Sequence, residues 1–170
     1  AVPMSRILIT QNLVYRMGAE SDWGPGASAA FLVLGSSESA IDYLTITNNT
    51  ILSQHSALYL PSDGSPPRGV GLVYRNNLAS YGSNGIFGSG GPGTTTLANR
   101  FNTYDVGYNV FFGQSGVAAS SYPPTTTFLS DMAQVGFIDV AAGDFRLSAG
   151  SQARGKGVAG SDPGVDVIQL

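Results

Sequence analysis

One motif, apolar-x-apolar-x-N-N-apolar in its full form, returns four times along the chain and constrains the fold more than any other feature. The copies run Ile7 to Val14 (I-L-I-T-Q-N-L-V), Leu44 to Ile51 (L-T-I-T-N-N-T-I), Leu72 to Ala79 (L-V-Y-R-N-N-L-A) and Asp105 to Phe111 (D-V-G-Y-N-V-F). Their second Asn positions, Asn12, Asn49, Asn77 and Asn109, are 37, 28 and 32 residues apart. A return at that interval means one short supersecondary unit stacked on copies of itself, because a globule of unique elements has no reason to repeat.

A second apolar strand separates the Asn-bearing ones: Ala30 to Gly35, Ala57 to Pro61 and Gly85 to Gly88. Successive side chains in a strand point to opposite faces. Pattern alignment puts Leu32, Leu58 and Ile86 in one inward column and Leu34 and Leu60 in the next. Val33, Tyr59 and Phe87 then form an outward column, and Phe31, Ala57 and Gly85 another. Parallel strands stacked about 4.8 Å apart bring equivalent residues into ladders. An Asn ladder suits a sharp corner, since its amide satisfies backbone groups in its own unit and the next.

Composition agrees. Only 11% of the residues are charged and 23 of the 170 are Gly, which suits strands and tight turns and not a helical bundle. The chain is long enough for one domain and too short for two ordinary cores. With net charge −3 and eight scattered basic residues there is no positive stripe for nucleic acid. No apolar run approaches the roughly 20 residues of a membrane span. Cys is absent, so disulfides and thiolate metal sites are excluded. The sparse Lys and abundant Ser, Thr, Gly and Asn fit a secreted or cell-surface protein.

The fold expected is therefore all-β: a right-handed parallel β-helix of about four coils over residues 1–112. An irregular carboxy-terminal capping segment of the same domain follows, over residues 113–170. Turn lengths vary only at fixed corners, as a solenoid permits. In the last third, F-L-S-D-M-A-Q-V predicts one short helical turn capped by Thr127 or Ser130. A-V-P-M-S-R leads straight into the first repeat, so the chain reads as the carboxy-terminal portion of a longer product, and coil ends left open invite homo-oligomers.

The I-x-N-N-x-I strands, the closing G-D-F-R-L-S-A-G-S-Q-A (Gly143 to Ala153) and Gly164 to Asp166 resemble the right-handed parallel β-helix proteins of the pectate-lyase-like superfamily. The resemblance covers nearly the whole chain and specifies fold better than reaction. It implies a substrate groove on one outer face, walled by variable turns, with Ca²⁺ held by carboxylates, an Arg base or paired Asp residues as the chemistry. This chain lacks the adjacent Asp pair and Gly-His-Gly of one branch and the Arg-x-x-Arg of another, so no catalytic residue carries over directly.

Candidates for chemistry gather beside the Val33–Tyr59–Phe87 column. Trp23, Tyr59 and Phe87 offer aromatic surface to a sugar; alternatively Tyr59 and Phe87 stabilise each other as a ladder. Glu20, Asp22 and Asp63 supply hard oxygens for a Ca²⁺ ion. Asp22, His55, Asp63 and Arg68 are the catalytic candidates: carboxylates and the single His as acid and base, and Arg68, stiffened by a Pro pair, as a carboxylate binder. The plainer alternative for each is a solvated turn residue. Glu38 and Asp42 lie in the turn after the first such strand. Asp162 and Asp166, in S-D-P-G-V-D, suggest a turn and a second Ca²⁺ candidate, with a cap on the last coil as the plainer alternative, and Asp139 and Asp144 read as hairpin residues.

The function expected is a hydrolase or lyase acting on a carbohydrate, with Ca²⁺ as the cofactor expected, using metal- or carboxylate-activated water. Alternatives are a Ca²⁺-dependent hydrolase of a small ester or lactone, a non-catalytic glycan-binding or adhesion module, and a purely structural stack.

Overall fold

A computed structural model describes residues 4–17, 29–32, 40–60, 67–88, 90–113 and 119–167. The chain is mostly β with parallel sheets, an arrangement compatible with a β-helix-like solenoid. Three strands make one rung. The first is β1 (Met4–Thr10), β2 (Leu13–Met17) and β3 (Ala29–Leu32); the second is β4 (Ile41–Thr47), β5 (Thr50–Ser53) and β6 (Ser56–Leu60). The third is β7 (Leu72–Arg75), β8 (Leu78–Ser80) and β9 (Ile86–Gly88). The short β10 (Gly91–Pro92) and helix α1 (Thr94–Arg100) follow, then β11 (Tyr104–Gly107) and β12 (Val110–Phe112) of a fourth rung.

Equivalent strands stack into sheets ordered β1-β4-β7-β11 and β10-β9-β6-β3, while a third runs from β2 through β5, β8 and β12 to β13 (Thr127–Leu129). The repeat dictates the register: Ile9 pairs with Ile46, Ile46 with Tyr74, and Tyr74 with Val106. Ile46 and Tyr74 are fully buried, as are Leu58, Leu60 and Ile86 from the facing sheet. Burying such a side chain contributes about 1.5–3 kcal/mol, so the stacked aliphatics are the main cohesive term.

Each corner between the first two strands of a rung uses two residues. The leading one, Gln11, Asn48, Asn76 or Tyr108, is left-handed with φ between 54° and 57°, a conformation that Asn tolerates and Tyr does not favour. The trailing Asn turns its amide inward. Asn12 Nδ2 donates to Asn49 Oδ1 at 2.9 Å, Asn49 Nδ2 to Asn77 Oδ1 at 3.0 Å, and Asn77 Nδ2 to Asn109 Oδ1 at 3.1 Å. The expected Asn ladder is present.

Three expectations need correction, and one element, α1, has no counterpart in the repeat. In the first rung Leu32 pairs with Tyr59 and Phe31 with Leu58, one residue away from the pattern alignment; Val33 lies outside the described residues. Ala57 and Gly85 do not form an outward column, being buried; a Cβ on Gly85 would lie 2.6 Å from Tyr122 Oη. The Gly-rich turn after β9 builds β10 and α1, which buries Leu97 and Phe101 at i and i+4. The short helix expected in the last third is present as α2 (Met132–Val135), but its N-cap is Asp131, accepting from Gln134 N at 2.9 Å, and not Thr127, which lies in β13, or Ser130.

An antiparallel hairpin closes the chain's last third: β14 (Phe137–Asp139) and β15 (Asp144–Leu147), turning at Gly143 with φ 78°. Asp139 and Asp144 flank that turn, as the sequence implies. The tail then returns along the Asn corners. Val158 N donates to Asn76 Oδ1 at 2.7 Å, Gly164 N to Asn76 O at 2.7 Å, Val165 N to Thr50 Oγ1 at 3.0 Å, and Asp166 N to Gln11 Oε1 at 2.9 Å.

Candidate functional site

The outer face of the β3–β6–β9 sheet carries the aromatic candidates. Leu58 and Leu60 point into the core, so the alternation of β6 sends Tyr59 outward; Phe87 does the same between Ile86 and Gly88. The two residues are in register, and their rings stack with centroids 5.8 Å apart and planes 16° from parallel. Pro92 of β10 sits opposite Phe87 on the same face. Both rings are half-buried, so each keeps apolar surface in water. Gly88 permits the close stacking, since a Cβ there would stand 2.1 Å from Leu60 O.

His55 sits in the turn entering β6. Its N–H donates to Ser53 Oγ at 3.0 Å, and its carbonyl would be 2.3 Å from a Cβ on Gly82. The turns of the second and third rungs therefore pack backbone on backbone, and Gly82, with φ 57°, is the residue that allows it.

Arg68 lies beyond the opposite end of β6. It is exposed, yet Nη2 donates to Phe101 O at 2.8 Å, while Asn102 Nδ2 donates to the Arg68 carbonyl at 3.3 Å. These bonds clamp the entry to β7 against the chain leaving α1. Asp42 performs a similar task, accepting from Val70 N at 3.0 Å. The structure thus joins Tyr59 to Phe87 but does not join His55 to Arg68, which sit at the two ends of one strand with separate partners. Glu20, Asp22, Trp23, Glu38 and Asp63 lie outside the described residues. Among the described residues no three of His, Asp and Glu gather as a metal cage.

Two features escaped the sequence. Arg100, at the end of α1, is buried, and its Nε and Nη1 have no hydrogen-bond partner among the described residues; burial pushes its pKa down. A cleft of about 430 Å³ also opens where the tail crosses the corners, lined by Gln11, Asn48, Arg146, Asp162 and Asp166 among others. Asp162 is already engaged, accepting from Gly155 N at 2.8 Å and lying 3.5 Å from Arg154. No periodicity marks either feature, because neither repeats.

Compared with known proteins, the chain matches no family model, no curated protein and no solved structure.

Proposed function

We propose that this chain is a right-handed parallel β-helix of the secreted or cell-surface type that binds carbohydrate on the outer face of the β3–β6–β9 sheet. The observation that carries this reading is the stacked Tyr59–Phe87 pair, half-buried on the outward side of β6 and β9 beside Pro92. Aromatic surface fixed by a sheet offers sugar C–H groups an apolar contact at little entropic cost.

A second reading, a hydrolase or lyase, rests on where acids fall in the sequence. Glu20 and Asp22 precede β3, while Asp63 follows β6, so carboxylates flank both ends of this sheet in chain order. In that reading Asp22, His55, Asp63 and Arg68 share the chemistry, and Glu20, Asp22 and Asp63 hold Ca²⁺.

The test is affinity electrophoresis and calorimetry against neutral and uronate polysaccharides, with Ca²⁺ or chelator, for the wild type and Tyr59→Ala/Phe87→Ala. The expected result is retardation on at least one polymer, weakened tenfold or more in the double variant while its circular dichroism stays native. Equal binding by both proteins, or binding to no polymer, defeats the reading. Chelator-sensitive product release from a glycan, ester or lactone would select the hydrolytic or lyase alternative.

A further inference from the structure

The tail that returns along the Asn corners fixes the orientation of two corner amides. Val158 N donates to Asn76 Oδ1 at 2.7 Å, so Asn76 Nδ2 is the group left to donate to Asn48 Oδ1, at 3.2 Å. In the first rung, Asp166 N donates to Gln11 Oε1 at 2.9 Å. Both amide oxygens are thereby taken. Among the described residues Asn48 Nδ2 and Gln11 Nε2 have no acceptor, and each is a double donor.

Gln11 and Asn48 lead successive corners, both left-handed at φ 57° and 54°, and both line the cleft of about 430 Å³ beside the tail. Phe145, Leu147, Pro163 and Val165 give the same cleft apolar wall. The Tyr15 ring stands 5.4 Å from that of Phe145 and is 48% exposed, which carries the apolar surface out to water. Small-molecule sites of roughly 300–1,000 Å³ combine apolar walls with a few directed polar groups in this way.

The charges on the cleft are already matched. Arg146 Nε donates to Asp144 Oδ1 at 2.8 Å. Asp162 accepts from Gly155 N at 2.8 Å and lies 3.5 Å from Arg154. An anionic ligand would find no uncommitted cation among these residues and would face Asp162 and Asp166. A ligand that suits the cleft is therefore uncharged, offers acceptor oxygens to the two amides and turns an apolar face to Pro163 and Phe145. An uncharged sugar ring has that chemistry, with hydroxyl oxygens around its rim and C–H groups on its faces. The geometry points to a neutral saccharide unit as the ligand of this cleft, held by Gln11 Nε2 and Asn48 Nδ2. The cleft shares no residue with the Tyr59–Phe87 face, so the two sites stand or fall separately.

Nuclear magnetic resonance titration with neutral monosaccharides and disaccharides, each beside its uronic acid counterpart, reads the site directly. At least one neutral sugar should shift the side-chain amide signals of Gln11 and Asn48, and its uronic acid should bind more weakly. Gln11→Glu/Asn48→Asp retains both acceptor oxygens for the tail and replaces both donors. It should keep native circular dichroism and lose about tenfold or more in affinity. Tyr59→Ala/Phe87→Ala should bind that sugar as the wild type does. The wild-type titration stands whatever the stability of either variant. No sugar that shifts those two amides, an equal response to the uronic acid, undiminished binding by the folded corner variant, or loss of binding in the Tyr59→Ala/Phe87→Ala protein each overturns the proposal.

Discussion

Asn49 and Asn77 are bound twice over through one atom: Asn77 Oδ1 accepts the Asn49 amide at 3.0 Å and the Asn49 backbone N–H at 3.1 Å. Asn77 Nδ2 in turn donates to Ile46 O at 3.0 Å and to Asn109 Oδ1 at 3.1 Å. Asn77→Ala strands several fully buried groups at once and should cost at least about 3 kcal/mol. Asn12→Ala, at the exposed end of the ladder, should cost about 0.5–1.5 kcal/mol. Urea denaturation of the two variants checks this; equal losses would mean the ladder does not hold the corners.

Two buried tyrosines should respond oppositely to loss of the hydroxyl. Tyr122 Oη accepts from Ile86 N at 2.9 Å and donates to Asn84 O, binding the turn before β9 from 36 residues away. Tyr122→Phe should cost about 1–3 kcal/mol, because both backbone groups lose their partner. Tyr74 Oη is buried with no partner among the described residues, so Tyr74→Phe should be neutral or stabilising by up to about 1 kcal/mol. Denaturation midpoints of the two variants decide it.

The same pair predicts a pH dependence. Burial raises both phenol pKa values above the ordinary 10.0. A raised folded-state pKa means that the folded protein holds its proton where the unfolded chain releases it. The contribution is intact below pH about 10 and falls as pH rises beyond it. Stability should therefore decline above that pH, and the Tyr74→Phe/Tyr122→Phe variant should decline less steeply. A parallel fall for both proteins would refute the assignment.

Tyr108 occupies the corner position that Asn48 and Asn76 fill in the rungs before it, at φ 55°. Left-handed backbone costs a non-Gly residue about 1–2 kcal/mol. The Arg75 guanidinium over its ring, 5.2 Å from the centroid, returns about 0.5–1 kcal/mol. Tyr108→Asn should therefore stabilise by roughly 0.5–1 kcal/mol, measured as a shift in melting temperature; a fall would show that the ring contact outweighs the backbone.

Thr50 Oγ1 fastens Val165 to the second rung. Thr50→Val keeps the shape and removes the acceptor, at a cost of about 1 kcal/mol. Amide exchange at Val165 should speed up while Leu58 and Ile86 keep their protection. Uniform acceleration would mean that the tail and the stack open as one unit.

What is legible in the sequence follows from repetition. Asn12, Asn49, Asn77 and Asn109 announce corners because each repeats the same backbone task, and Leu58 and Ile86 announce the inward face because alternation is geometric. Tyr59 and Phe87 were found as a pair for that reason. The slip at Leu32 has the same origin in reverse: apolar residues lie on both sides of it, and alternation alone does not choose between adjacent registers.

The amino-acid order by itself determined the parallel stacking, the corners and the outward aromatic pair, since each depends on local spacing multiplied by a regular rise. Only the tertiary structure decided that Arg68 grips Phe101 O, that Tyr122 closes the turn before β9, and that the tail runs back to Gln11. Those contacts join residues 33, 38 and 155 positions apart. Each occurs once, and no period in the chain marks a contact formed only when distant segments fold together.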